Sequence, residues 1–247
     1  MIVLAASAAL VLMGGAAPAP DAGQSPRGLA TAPVARPGVL PHLIGTVARD
    51  SIAARTAPDA DAEVIARFDA VNDQGAPQVF LLEPEQRAPD GGLPPGIEWV
   101  RALLPVRPNG TRGYLPVDGL ELSVTTYRVE VDTRAFELTL FDGDDVVFTA
   151  PVGIGKGKTP TPKGKFYLAS LLKPPDPDTV YGTYAYGLSG YSETLKDWKD
   201  GGIVGIHGTN DPSSIGRRVS HGCIRLHNRD IERLVELLPL GTPVLIR

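Results

Sequence analysis

A glycine or proline interrupts this chain about every fifth residue. The 28 glycines and 24 prolines among 247 residues are roughly a fifth of the sequence, against a usual total of about 12%. Helices longer than a few turns have little room, because proline removes a backbone donor and glycine carries the largest backbone entropy cost. Short strands joined by turns remain, so the chain is expected to be mainly β, in one or two compact domains.

The pattern divides the chain. Residues 2–17 are uncharged and apolar, which suits a signal-peptide core and falls short of the roughly 20 residues that span a bilayer. Export is the expectation, to the periplasm or cell wall, with this segment removed or kept as an N-terminal hold. No stable membrane span beyond such a leader is expected, and no cysteine follows it to carry a lipid. An Ala/Pro-rich linker continues to residue 41, and folded structure is expected from His42. Between His42 and Leu122 the segments LIGTVA, EVIARF, QVFLLE, IEWVRALLPV and GYLPVDGLEL read as short strands. Pro58-Asp59, Asn72-Asp73, Asp90-Gly91-Gly92 and Asn109-Gly110 punctuate them. The stretch EWVRALLPVRPNGTRGYLPVDGLEL resembles the closing part of a bacterial SH3-like domain, so residues 42–124 are expected to form a small SH3-like β-barrel, a wall-binding module or a spacer. A second domain is expected over 125–247. There Val129, Val131, Leu138, Leu140, Val146 and Phe148 alternate along three strands. One helix is expected after Asn228, with Ile231, Leu234, Val235 and Leu238 on one face. The net charge of −4 and the scatter of basic residues leave no basic face for nucleic acid.

The string GIGKGKTPTPKGKF copies the end of a phosphate loop at Gly157-Lys158-Thr159. The spacing denies it, because the glycine five positions earlier is Val152 and Pro160 and Pro162 forbid the following helix. A turn-rich connection is expected instead.

Three of the four histidines, His207, His221 and His227, lie within 21 residues that also hold the only cysteine, Cys223. A single cysteine rules out an internal disulfide and any multi-cysteine zinc site. Three chemistries suit the cluster. Cys223 is a small buried hydrophobe among satisfied histidines; or His207, His221, Cys223 and His227 bind zinc, with Asp211 or Asp230 as base; or Cys223 is a nucleophile paired with an imidazole. The spacing H-x13-H-x-C-x3-H departs from common structural-zinc patterns. Glycines around a cysteine suit an oxyanion hole, and a histidine distant in sequence can activate the thiol, so acyl transfer is the favoured reading, with no metal and no cofactor.

SHGCIRLHN, with IHGTNDPSSIG before it and VGIGKGKTPTPKGKFYL, SGYSE and LGTPVLI elsewhere, resembles the signature of the L,D-transpeptidase catalytic-domain family over about Tyr127 to Arg247. The resemblance implies a β-sandwich domain with one helix after the motif, acting on peptidoglycan stem peptides. It makes Cys223 the nucleophile, His207 its general base and the Gly208 carbonyl the group that orients His207. His221 would polarise the site or contact substrate, and Gly222 with the Cys223 N–H would form the oxyanion hole. Arg225, Ser220, Asn228 and Tyr191 fall on the substrate side. Ser220 and Asn228 also carry a structural reading, Asn228 as helix N-cap. Arg217, Arg218 and Arg229 add positive charge around Arg225, and Tyr181, Tyr184, Tyr186, Tyr191 and Trp198 are expected to form an aromatic lid. The implied reaction forms an acyl-enzyme, releases D-alanine and transfers the acyl group to a diamino-acid amine. β-Lactams of the carbapenem class are implied covalent inhibitors. Hydrolysis as an L,D-carboxypeptidase, a zinc-dependent wall hydrolase and a non-catalytic wall binder are the alternatives.

Overall fold

The computed structural model describes residues 39–195 and 202–247. The apolar segment 2–17, nearly all of the linker and Trp198 lie outside the described residues. The protein is mainly β, with one α-helix among the described residues, and none of its described helices is long and apolar enough to cross a membrane.

Seven antiparallel strands form the first sheet: β1 (His42–Val47), β2 (Ser51–Arg55), β3 (Val64–Asp69), β4 (Val79–Leu82), β5 (Trp99–Leu103), β6 (Arg112–Pro116) and β7 (Leu120–Thr125), in the order β3-β2-β6-β5-β4-β1-β7. Strand β2 escapes the hydrophobic pattern because Ile52 is its only large apolar residue. GYLPVDGLEL is two strands, β6 and β7, split by the single turn Val117–Gly119. Strand β4 is buried at all four positions, which a strand needs only when both faces are covered. Phe80 and Leu82 enter the core of their own sheet. Val79 and Leu81 point the other way and join Ile44 and Leu103 against Tyr167 and Ala169 of the second sheet.

The second sheet takes its strands from β8 (Tyr127–Asp132), β9 (Glu137–Asp142), β10 (Asp145–Pro151), β12 (Gly164–Leu172), β13 (Ala185–Tyr191), β14 (Ile203–His207), β16 (Ile224–Arg225) and β17 (Pro243–Ile246), in the order β10-β9-β8-β17-β12-β13-β14-β16. The short strands β11 (Ile154–Gly155) and β15 (Arg218–Ser220) pair in parallel beside it. Side chains from both halves, such as Val129, Leu140, Ile206 and Ile224, share one core, so the sheet curls over itself. Val129, Val131, Leu138 and Leu140 face inward, as their alternation predicts. Val146 does not: the register of β10 shifts between Val146 and Phe148, and this bulge leaves Val146 59% exposed while Phe148 stays buried. Helix α1 (Asn228–Leu237) lays Ile231 and Leu234 on the core.

The two sheets are joined over a substantial contact. Burial of each large apolar side chain between them contributes about 1.5–3 kcal/mol. Lys165 Nζ donates to Glu83 Oε1 at 2.7 Å across the junction, and Asn72 Nδ2 donates to the Ala169 carbonyl at 3.2 Å. Beside this contact burial, followed by the charges of Lys165, Arg87 and Arg128, pushes His42 down to about 4. Burial likewise holds His207 down to about 4. Both lie below the ordinary 6.5, so between pH 6.5 and 4 the unfolded chain binds protons that the folded chain refuses. Their contribution is therefore present above pH 6.5 and lost as pH falls toward 4, by about 3 kcal/mol for the nearly fully buried His207. His42→Gln should flatten the fall of Tm over this range in thermal melts; a slope equal to that of the unaltered protein would show that His42 titrates normally.

Candidate active site

Strand β14 carries His207 at its end and serves both the core and a cavity. Val204 and Ile206 fill the core, and Ile203, Val204, Gly205 and His207 border a cavity of about 490 Å³. His207 is itself 4% exposed. Its Nδ1 lies 2.5 Å from the Gly208 carbonyl. A carbonyl only accepts, so Nδ1 bears the proton and Nε2 is the basic nitrogen. Tyr181 meets the imidazole edge to face, with centroids 5.1 Å apart.

Cys223 borders the same cavity, from the turn between β15 and β16. Gly222 adopts φ +123° there, a conformation closed to other residues even though a Cβ would find ordinary space. Ser220 pins the turn: its Oγ donates to the Cys223 carbonyl at 2.6 Å and accepts from the Gly222 N–H at 3.1 Å. Burial pushes the Cys223 thiol up, and the Gly205 backbone and the Arg225 charge draw it partly back. At neutral pH the pair therefore rests as thiol and neutral imidazole.

The glycine-rich segment that imitates a phosphate loop is the scaffold of this turn. Gly153 exchanges two backbone hydrogen bonds with Arg225, of 2.9 and 2.8 Å, and the Lys156 N–H donates to the Ser220 carbonyl at 3.0 Å. Lys156 Nζ lies 3.4 Å from His221 Nε2. His221 also borders the cavity.

Several expected roles move. The Gly222 amide is spent on Ser220, so of the expected oxyanion pair the Cys223 amide is left. Ser220 is buried and serves the turn, not a substrate. Asn228 is the first residue of α1 and not its N-cap, which is His227; its Oδ1 accepts from the Thr209 N–H at 2.9 Å and secures the loop after His207. Tyr191 faces the first sheet: its hydroxyl donates to the Pro105 carbonyl at 2.9 Å, its backbone pairs with Asn109, and Arg107 lies over its ring. Of the described tyrosines expected in an aromatic lid, Tyr181 and Tyr186 border the cavity; Tyr186 is buried with its hydroxyl on the Leu238 carbonyl, and Tyr184 packs on the core. Arg225 acts electrostatically on both His207 and Cys223 and keeps a buried, unbonded Nε, without bordering the cavity. Arg218 instead donates to the Thr133 carbonyl and covers Phe136, and Arg229 pairs with Asp230. Among the described residues no three His, Cys, Asp or Glu side chains converge as a metal site, and His227 sits at the N-cap position of α1 without a side-chain capping bond.

Asp73 and Gln74 of the first sheet also border the cavity. Nothing near them in sequence signals this, because docking of the two sheets brings them there.

Residues 126–246 match the family described as YkuD, the L,D-transpeptidase catalytic domain. A putative L,D-transpeptidase YkuD of Bacillus licheniformis is 41% identical over 120 residues, 49% of this chain and 65% of the relative. The putative L,D-transpeptidase YqjB of Bacillus subtilis is 34% identical over 128 residues, 48% of this chain and 69% of the relative. The chain thus spans about two thirds of the length of these relatives. A solved Enterococcus faecium L,D-transpeptidase aligns with 49% of this chain and 50% of its own, at 26% identity and a TM-score of 0.40.

Proposed function

The chain belongs to the L,D-transpeptidase catalytic-domain family, and from that membership we propose that it is an exported cysteine acyltransferase of peptidoglycan. In this reading residues 125–247 are the catalytic domain, residues 42–124 an SH3-like domain, and the N-terminal apolar segment directs the chain to the periplasm or wall.

The observation that carries the reading is the lock between His207 Nδ1 and the Gly208 carbonyl, which leaves Nε2 basic in the cavity that also holds Cys223. Cys223 Sγ attacks the carbonyl at the L-centre of the third stem residue while His207 Nε2 takes the thiol proton. The Cys223 amide supports the charge that develops on the carbonyl oxygen. Collapse breaks the bond to D-alanine, whose amine takes the proton from His207, and a thioester remains. An amine of a second stem then attacks the thioester; His207 accepts its proton and returns it to the departing sulfur. The neutral resting state favours this order, because an imidazole held down to about 4 is free to accept a proton at any physiological pH. From outside the cavity wall, the Arg225 charge draws both the His207 imidazole and the Cys223 thiol down.

Incubation with a carbapenem, followed by intact-protein and peptide mass spectrometry, tests the reading. The expected result is a mass increase of one inhibitor on the peptide carrying Cys223, together with D-alanine release from a tetrapeptide stem. Absence of both sinks it.

A further inference from the structure

Beyond the two reacting side chains, the cavity has an uneven wall. Among the described residues that border it, Asp73 is the one carboxylate, and no lysine or arginine joins it. It comes from the Asn72–Gly75 turn of the first sheet, more than a hundred residues from Cys223 in sequence. We propose that this turn is the acceptor wall of the active site, and that Asp73 captures the incoming acceptor as an ammonium ion.

The turn is built and held. Asn72 Oδ1 accepts from the N–H groups of Gln74 and Ala76 at 3.0 and 3.1 Å, and Gly75 supplies the left-handed φ of +75° that closes it. Asn72 Nδ2 reaches the Ala169 carbonyl, and Gln74 Oε1 accepts from Ser170 Oγ. The Gln74 amide lies over Gly187, where a Cβ would come within 2.6 Å of its oxygen. Gly187 in turn pairs with Gly205, so two side-chain-free positions leave the floor low enough for the turn to overhang it. The apolar contact of Val79 and Leu81 with Tyr167 and the grip of Arg107 and Asn109 on Tyr191 and Ser192 fix this position.

This inference rests on the proposed transpeptidase reading and adds a source of acceptor choice. An acceptor amine is an ammonium ion in solution; it gives one proton to solvent to free its lone pair before it attacks, and the second passes through His207 to the departing sulfur. A carboxylate exposed at the cleft wall attracts that cation. Water needs no such capture, so Asp73 bears on the balance between crosslinking and hydrolysis.

The test separates the two half-reactions in the full chain. Asp73→Asn should raise the apparent KM for a lysine-amide acceptor about five-fold, and Asp73→Lys more, with the difference shrinking as salt is added. Asp73→Glu should restore it. Acylation of Cys223 by a carbapenem and transfer to hydroxylamine, which is uncharged at neutral pH, should keep their rates. Equal KM for the lysine amide in the unaltered protein and Asp73→Lys, or parallel losses with both nucleophiles, would overturn the proposal while the transpeptidase reading stands. Absence of acylation in the unaltered protein would remove the reading itself, and this proposal with it.

Discussion

Cys223→Ala is expected to lower D-alanine release from a tetrapeptide stem by a factor on the order of 10⁴ or more, and to abolish the carbapenem adduct, without moving Tm appreciably. The fold does not depend on the thiol. Gly222 and Ser220 shape the turn through backbone and hydroxyl contacts that alanine at position 223 retains, and the side chain removed faces the cavity. The manner of activation carries its own signature. Burial pushes the Cys223 thiol above its ordinary range and His207 down to about 4, so no thiolate–imidazolium pair stands ready at neutral pH. Alkylation of the free enzyme by iodoacetamide should therefore rise with pH and still be rising at the ordinary thiol value of 9.0. Catalysis, in which His207 takes the proton during attack, should keep its acid limb near pH 4. An alkylation rate that is flat from pH 5 to 8 would mean a preformed ion pair and refute this mode of activation.

Cys223 and His207 stand out in the sequence more sharply than the residues around them, and the reason is physical. Cys223 and His207 are read from chemistry that few residue types can perform. Ser220 and Asn228 are not: a hydroxyl or amide next to a reactive group bonds a substrate or a neighbouring backbone with equal ease. Only the φ of +123° at Gly222 turns Ser220 back onto its own loop, and only the start of α1 aims Asn228 at Thr209. Nothing near Tyr191 in sequence announces its partners, Pro105 and Asn109, because they lie between strands of another sheet. The contact between the sheets did leave one trace, the unbroken apolar run VFLL of β4. A half-covered strand would alternate. That run says a second face is covered without saying by what, so Asp73 and Gln74 remained ordinary turn residues until the packing of Val79 and Leu81 on Tyr167 carried them to the cavity. The bulge that exposes Val146 is of the same kind, a register change invisible to a two-residue period.

Gly208→Ala is the sharper probe of how His207 is held. The substitution keeps the carbonyl that accepts from Nδ1, and Gly208 does not occupy the left-handed region, so its backbone tolerates a side chain. The obstacle is space. A Cβ at 208 would overlap Asn228 Oδ1 and come within 3.3 Å of the Gly182 Cα. Asn228 cannot yield freely, because the same oxygen holds the Thr209 N–H, and Gly182 adjoins Tyr181, whose ring steadies the imidazole. The strain should move His207 by a fraction of an ångström to an ångström, which costs kcat/KM on the order of 100-fold. Asn228→Ala alone loosens the loop and should cost less. In the Asn228→Ala background the overlapped oxygen is gone, so adding Gly208→Ala should then cost under about ten-fold, a strong non-additivity between touching residues. Equal costs of Gly208→Ala in both backgrounds, with Tm unchanged, would show that the side chain of Asn228 does not set the position of the base. The predicted cycle instead makes the Asn228 amide a positioning group that acts through the 208–209 backbone on a histidine it does not touch.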